Sequence, residues 1–347
     1  MSGPARAAAE APADPSAGSG SGPGSGRGSG RLGAALRIGV AVLALACLAW
    51  VLAPVVRGFE QVLASRRVAP LLLVTGCGIV VYAALDTLLA LGWAVLARIY
   101  GEASSWRRAY VVFALSQWSK YLPGNVLQYV SRQALGRRAG WSHGALVQSG
   151  VLELASLVVA AALVTGTALA LSGELVEGPP SWALVGVLAL LLALSPWLLD
   201  RLARRSPPGR RLLAGLAPVS PARSVRLLAA AVPFHLGFFV GTGAILVGLV
   251  RWGWGSPVPG TWVLLGLYAA AWLAGTFAVG APAGAGVREA ILVVGLEPAL
   301  GAVAAATLAV ALRVTTVGGD LLMAASGLAL RFWLEREERR ATKRCDR

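Results

Sequence analysis

The stretch "SQWSKYLPGNVLQYVSRQALGRR", from Ser116 to Arg138, decides how the rest of the chain is interpreted. It lies between two apolar segments, yet it contains a lysine, several amides and a Pro-Gly dipeptide. Pro123 lacks a backbone donor and Gly124 tolerates any backbone angle, so this dipeptide ends any helix that reaches it. The flanking residues therefore predict two short helical arms around a Pro-Gly tip.

The composition around this stretch indicates a membrane protein. The 347-residue chain is 56% hydrophobic and 14% charged, whereas a soluble domain carries about 25% charged residues. Several uncharged runs are long enough to cross a hydrocarbon core of about 30 Å. We predict an all-α, polytopic bundle of about eight transmembrane helices with two re-entrant hairpins. The predicted spans are Arg37–Val56, Leu71–Ala97, Ser142–Leu171, Trp182–Leu199, Leu227–Val250 and Thr261–Gly280, followed by one or two crossings in 299–334.

The number of crossings depends on Thr261–Gly280. Eight result if this segment spans the membrane, and seven if it forms only one arm of a hairpin. Residues 1–31, mostly Gly, Ser, Ala and Pro, predict a disordered cytoplasmic tail. Residues 32–334 form the predicted transmembrane domain, and 335–347 a charged cytoplasmic tail.

Arginine asymmetry predicts the orientation. Residues 200–226 contain seven arginines and one aspartate, a net charge of 7 − 1 = +6, which favours the cytoplasmic side. The acidic loop at 173–180 is then external and the amino terminus cytoplasmic. We expect a multi-pass protein of the cell membrane.

Charge and motif content exclude several other classes. The net charge of +15 would suit nucleic acid on a soluble protein. Here the arginines cluster in short loops, where they set orientation and attract anionic head groups. Cys47, Cys77, Cys345, His143 and His235 form no metal pattern. We expect no nucleic-acid partner, no metal and no cofactor. Because there is no Walker motif, ATP is not the expected direct energy source.

A second broken segment, "FAVGAPAGAGVREAILVVGL", repeats the arrangement of the first. Pro123 is followed by Arg132, and Pro282 by Arg288. Broken helices at corresponding positions of two halves are typical of a transport site between inverted repeats, and helix amino termini suit a phosphate. The alternative for the first segment is a pair of amphipathic helices lying on the cytoplasmic surface.

"KYLPGNVLQYVSRQALGR" and "YAAAWLAGTFAVGAPAGAGVREAIL" together resemble the lysylphosphatidylglycerol synthase transmembrane-region family, also called flippase-like. That family shows an aromatic-Pro-Gly motif followed by Gly-Arg, and later Pro-Gly-Gly-x-Gly-x-Arg-Glu. The matching residues are Tyr121, Pro123, Gly124, Gly136 and Arg137, then Pro282, Gly284, Gly286, Arg288 and Glu289. Ala283 and Ala285 stand where the family often has glycine or a bulkier residue.

The resemblance covers about residues 35–334 and implies a lipid-translocating membrane domain. The best-known members also carry a fused cytosolic aminoacyl-transferase domain, which these 347 residues do not contain. Lipid translocation is therefore expected rather than lipid aminoacylation. A separate transferase chain is left open as a partner.

Ionisable side chains within spans are costly, so they are candidates for function. We name as substrate-binding candidates Lys120, Pro123, Gly124, Gln128, Arg132, Arg137, Glu153, Pro282, Gly284, Gly286, Arg288, Glu289, Arg313 and Asp320, with Asp86, Tyr268 and Trp272 as secondary candidates. Arg288 follows a glycine-rich tip and is the forked partner that phosphate prefers, with Glu289 beside it to orient it. Arg313 and Asp320 share one helix face.

Structural alternatives remain for several of these residues. Glu153 and Arg313 would neutralise each other as an ion pair between helices. Asp86 and His235 would be satisfied inside the bundle. Lys120 would extend towards the lipid phosphates, and the aromatic candidates would serve as interface anchors.

The leading functional prediction is a carrier that moves an anionic phospholipid or a lipid-linked precursor between leaflets. Arg288 and Arg313 would hold the phosphate, while Glu153 and Asp86 would contact the head group or carry a coupling proton. One alternative is a membrane enzyme that modifies head groups, for which we find no catalytic motif. Another is an accessory protein of cell-envelope assembly.

Overall fold

The computed structural model describes residues 67–99, 105–121, 127–172, 220–278 and 281–345, together with a few residues between 197 and 210. The regular structure in these ranges is helical, and no strand occurs among them. The all-α prediction is thereby confirmed for the described part. The amino-terminal tail, the first predicted span, the acidic loop, nearly all of the fourth span, Pro123 and Gly124 lie outside it.

The described helices are α1 (Val68–Ile99), α2 (Trp106–Gln117), α3 (Leu127–Arg138), α4 (His143–Ser172), α5 (Pro221–Gly248), α6 (Thr261–Phe277), α7 (Val287–Leu300) and α8 (Ala302–Cys345). Three short pieces adjoin them. A 3₁₀ turn, Trp118–Tyr121, extends α2, and a π-helical turn, Leu249–Gly253, extends α5. A second 3₁₀ turn, Pro282–Gly284, lies between α6 and α7.

Helix lengths divide the described bundle into two classes. Four helices, α1, α4, α5 with its extension, and α8, are long and apolar enough to cross a membrane. At about 1.5 Å per residue, a crossing needs about 20 residues. By contrast, α6 has 17 residues and α7 has 14, while α2 and α3 have 12 each. Residues 302–345 form one helix, which favours one final crossing over two.

The long helices pack around a central pair, α1 and α5. These two run antiparallel, because Leu88 lies beside Gly237 while Leu71, at the other end of α1, lies beside Gly253. Helix α8 packs against α1 and α4 against α5, while α2 packs against α8 and α6 against α4. These contacts correspond in pairs if α1, α2, α3 and α4 are exchanged with α5, α6, α7 and α8, in that order. The contact of α8 with α1 then corresponds to that of α4 with α5, and the contact of α2 with α8 to that of α6 with α4.

Glycine allows α1 and α8 to approach closely. A Cβ on Gly319 would lie 2.5 Å from Cδ1 of Tyr82 and 3.1 Å from the carbonyl oxygen of Ile79. One turn after Tyr82 comes Asp86, and directly after Gly319 comes Asp320. The crossing therefore brings two carboxylates to the same level of the bundle.

Candidate functional site

The second break, residues 281–286, forms a tight turn that packs directly against α6. Gly284 has φ 69° and Gly286 has φ 83°, both in the left-handed region that glycine tolerates. A Cβ on Gly284 would lie 2.8 Å from Cα of Gly275 on α6, so no other residue fits there without displacement. Ala283, where the resembled family has glycine, has φ 50°, a conformation that costs a residue with a Cβ about 1–2 kcal/mol.

A cavity opens where this break meets α6, α7 and α8. Its lining residues are Tyr268, Ala271, Trp272, Arg288, Glu289, Leu292, Ala309, Leu312, Arg313 and Thr316. The structure thus brings together five of the predicted site residues. The cavity measures about 330 Å³ with its open mouth included, but only about 20 Å³ is open to the centre of a water molecule. One or two waters fit in this conformation, so a head group enters only if the walls part.

The charges lining the cavity do not balance. Two arginines and one glutamate give +2 − 1 = +1. Arg313 lies 3.4 Å from Oε1 of Glu289 and donates to the carbonyl oxygen of Ala283 at 3.2 Å. The other oxygen of Glu289 accepts the backbone N–H of Gly286 at 2.7 Å. Glu289 therefore pairs with Arg313 rather than orienting Arg288. It also occupies the N–H of Gly286 at the start of α7, so this N–H is not free for the predicted contact with a phosphate.

Arg288 lines the cavity without an ion pair to any residue that the structure describes. Its Nε atom is buried and makes no hydrogen bond to any described residue. Its guanidinium carbon lies 5.6 Å from the centre of the Trp272 ring, a cation–π contact that neutralises no charge. The cavity is therefore suited to an anion.

Arg132, the arginine that follows the first break, is buried in an ion pair. Arg132 donates through Nη1 to Oε2 of Glu153, and each side chain is only 4% exposed. Its Nε donates to Oγ of Ser116 at 3.2 Å, and its guanidinium carbon lies 4.1 Å from the centre of the Phe113 ring. Glu153 thus pairs with Arg132, not with Arg313 as the structural alternative proposed.

Arg132 and Arg288 share one feature of their surroundings, a contact with an aromatic ring. Each lies over an aromatic ring of the helix that precedes its break, Phe113 in one case and Trp272 in the other. Phe113 precedes Pro123 by 123 − 113 = 10 residues, and Trp272 precedes Pro282 by 282 − 272 = 10. The sequence analysis did not identify Phe113 and Trp272 as counterparts. Their equal spacing from the two prolines would have indicated it.

The residue three positions after each aromatic differs between the halves. Ser116 supplies a hydroxyl to the Nε of Arg132. In the second half the same place is Gly275, where a Cβ would lie only 2.6 Å from the Nε of Arg288. The second half therefore lacks the hydroxyl that satisfies Arg132.

The long helix after each break contains a similar local hydrogen bond well inside its first half. Ser156 donates to the carbonyl oxygen of Glu153 at 2.9 Å, and Thr316 to that of Arg313 at 3.1 Å. Glu153 and Arg313 follow their prolines by 153 − 123 = 30 and 313 − 282 = 31 residues. At matching places, the first half has a carboxylate and the second an arginine.

A second polar cluster joins the 3₁₀ turn Trp118–Tyr121, which precedes the first break, to α8. Asp320 accepts from Nζ of Lys120 at 2.7 Å and from the hydroxyl of Tyr121. Asp86 on α1 interacts electrostatically with Asp320, and neither of its carboxylate oxygens has a hydrogen-bond partner in the described part. Lys120 therefore contacts α8 rather than extending to lipid phosphates. Arg313 lies 5.7 Å from the centre of the Tyr121 ring, which links this cluster to the cavity.

The remaining predicted residues lie apart from the cavity. Gln128 is half-buried on α3, and Arg137 is exposed near the end of that helix. His235 is fully buried, with Nδ1 2.7 Å from the hydroxyl of Ser156, whereas its Nε2 has no hydrogen-bond partner among the described residues. The described residues contain no group of three His, Cys, Asp or Glu placed to hold a metal ion.

The part of the chain that the structure describes is helical, with four helices suited to crossing a membrane and an arginine-lined cavity beside a broken helix. No family model, curated protein or solved structure matches the chain.

Proposed function

We propose that the protein is an integral membrane translocase of the flippase-like family, moving an anionic phospholipid or a lipid-linked precursor between leaflets. The observation that favours this function most is that Arg288, which lines the cavity with Arg313, has no acidic partner among the described residues, whereas Arg132 after the first break is held in an ion pair with Glu153.

In this proposal α2 with α3, and α6 with α7, are re-entrant hairpins of an inverted repeat. Their lengths, below one crossing, and the antiparallel packing of α1 on α5 support this arrangement. The two breaks also contact each other through their 3₁₀ turns. Irregular backbone at membrane depth is tolerated where protein covers it or where it lines a wet cavity.

The phosphate of the lipid takes the place of the missing carboxylate. An arginine without a counter-charge is costly at membrane depth, and the only described acid in the cavity is bound to Arg313 and to the start of α7. A phosphate between Arg288 and Arg313 completes the charge balance and suits the guanidinium fork. The acyl chains remain in the bilayer while the head group crosses.

Proteoliposomes containing fluorescently labelled phosphatidylglycerol test this function. We expect the wild-type protein to move the label between leaflets. Arg288→Ala and Arg313→Ala should slow it at least about tenfold, because a hydrogen bond to a charged group contributes about 1.5–3 kcal/mol. Arg331→Ala, which removes an exposed arginine paired with Glu335, is the matched control and should retain the wild-type rate.

Wild-type rates in both cavity variants would contradict the proposal. Recovery of a chemically modified lipid without translocation would indicate a membrane enzyme instead. An absence of both translocation and modification would favour an accessory role in envelope assembly.

A further inference from the structure

One end of the bundle has an exposed surface of arginine and tryptophan, formed where the start of α2 packs against residues 333–338 of α8. The guanidinium carbon of Arg107 lies 5.8 Å from the ring centre of Trp106 and 5.0 Å from that of Trp333. Arg108 donates to Oε1 of Glu338 at 2.9 Å, which joins the two helices beside these rings. We call these five residues the arginine–tryptophan surface.

The length of α8 places this surface at the level of the lipid head groups. Trp333 follows the start of α8 at Ala302 by 333 − 302 = 31 residues, which is about 46 Å at about 1.5 Å per residue. A bilayer with its head groups is about 40–45 Å thick. Trp106 and Trp333 are 50% and 43% exposed, and indoles are enriched at the boundary between hydrocarbon and water.

Positive charge predominates at the arginine–tryptophan surface and in the part of α8 around it. Residues 106–108 and 331–340 contain six arginines and three glutamates, a net charge of +6 − 3 = +3. Two of the glutamates are paired with two of the arginines. Arg107 is exposed and forms no ion pair with any residue that the structure describes. Its contacts with the two indoles hold the guanidinium in place without neutralising its charge.

We propose that the arginine–tryptophan surface binds the phosphate of an anionic phospholipid in the leaflet at this end of the bundle. Arg107 contacts the phosphate, which suits the guanidinium fork. Trp106 and Trp333 pack beside the glycerol and the upper part of the acyl chains. The inference depends on the membrane location of the four long helices and not on translocation, since none of the five residues lines the cavity.

The order of side chains along α8 favours a lipid over an acidic protein segment. Leu328 and Phe332, which precede Trp333, are exposed and apolar, whereas residues 335–340 are all charged. This order matches the sequence of acyl chain, phosphate and water along a phospholipid in a bilayer. The net positive charge then selects anionic lipids over zwitterionic ones.

Fluorescence quenching in nanodiscs tests the site. Cys47, Cys77 and Cys345 are replaced by alanine, and a fluorophore is attached to the single cysteine of Phe332→Cys, at an exposed position. Phosphatidylglycerol and phosphatidylcholine that carry the same acyl-chain quencher are compared at equal mole fractions. We expect phosphatidylglycerol to be preferred about fivefold, the factor by which one arginine near the membrane surface attracts an anionic lipid.

Substitutions in this labelled protein assign the preference to Arg107. Arg107→Gln should remove most of it, and Arg107→Lys, which keeps the charge, should retain it. The matched control is Arg226→Gln, which removes an exposed arginine of α5 and should leave the preference unchanged. Arg288→Gln should also leave it unchanged, because the cavity is a separate site. At a label on Val240, which is exposed on α5, the two lipids should quench equally.

Equal quenching by the two lipids at position 332 would overturn the inference and leave only an aromatic belt. Persistence of the preference in Arg107→Gln would overturn it too, as would its loss in Arg107→Lys or in Arg288→Gln. Because the surface is exposed, its lipid exchanges with the bilayer and is not retained through purification in detergent. Quenching in the bilayer therefore reports this surface, whereas lipid retained after purification reports the cavity.

Discussion

Glu153 and Arg313 follow Pro123 and Pro282 by 30 and 31 residues and carry opposite charges. Each follows a proline break, and each carbonyl oxygen accepts a hydroxyl hydrogen bond from the residue three positions later. In the first half the carboxylate closes an ion pair with Arg132. After the second break two arginines line a cavity, so the two breaks differ in that one is followed by a buried ion pair and the other by a cavity lined with an excess of positive charge.

Removal of Glu153 should destabilise the protein without any direct effect on the cavity. Glu153→Ala leaves Arg132 buried without its carboxylate, which costs about 3–5 kcal/mol. Denaturant unfolding in detergent measures the change in the free energy of unfolding. As the control, Glu335→Ala removes the exposed partner of Arg331 and should change stability by about 0–1 kcal/mol. Equal effects of both substitutions would show that the buried pair has no structural role.

The close crossing of α1 and α8 should depend on Gly319. Gly319→Ala places a Cβ against backbone as well as side-chain atoms of α1, and such overpacking costs about 1–3 kcal/mol. Gly76→Ala on α1 is the control, since a Cβ there meets nothing within 4 Å. It should be neutral or stabilising by about 0.5–1 kcal/mol. Thermal unfolding of both variants measures the difference, and a stable Gly319→Ala protein would refute the tight crossing.

Gly275 should be needed for the position of Arg288. In Gly275→Ala the new methyl group would lie 2.4 Å from Cγ of Arg288, so the arginine must leave its present place. We expect lipid translocation to fall by a factor similar to that in Arg288→Ala. Gly260→Ala, at the start of the same helix with nothing within 4 Å of its Cβ, should translocate at the wild-type rate. Full activity of Gly275→Ala would show that translocation does not depend on the position of Arg288.

The carboxyl-terminal end of α8 should be cytoplasmic. In a variant that retains Cys345 as its only cysteine, a membrane-impermeant maleimide should label inverted vesicles but not intact cells. Cys77 and Cys47 are replaced, since either would give a second signal. Labelling of intact cells would place this end outside and make the number of crossings odd for a cytoplasmic amino terminus.

Local features of the bundle were predictable from the sequence. The long apolar runs predicted the ends of α1 and α4 to within three residues, because burial in lipid requires about 20 apolar residues whatever the packing. Helix α5 begins at Pro221, six residues before its predicted start at Leu227. The break at 281–286 was readable from proline and glycine. The gathering of Arg288, Glu289 and Arg313 also followed, since two of them are adjacent and the third lies on the next helix.

Partners distant in sequence were not predictable. Asp320 was grouped with Arg313 on one helix face, yet it binds Lys120, from which it is separated by 320 − 120 = 200 residues. An ion pair of Glu153 with Arg313 was one expectation from the sequence, whereas Glu153 binds Arg132. Periodicity identifies which residues share a face, but the helix that covers that face is decided by packing, here by Gly319 against α1.

Lipid retention tests the role of the two cavity arginines most directly. The protein is purified from mixed bilayers of phosphatidylglycerol and phosphatidylcholine, and bound lipid is measured by native mass spectrometry. We predict that the wild-type protein and Arg331→Gln retain phosphatidylglycerol in preference to phosphatidylcholine, and that Arg288→Gln and Arg313→Gln lose this preference. Retention of phosphatidylglycerol by Arg288→Gln and Arg313→Gln at the wild-type level would contradict a phosphate site between these residues.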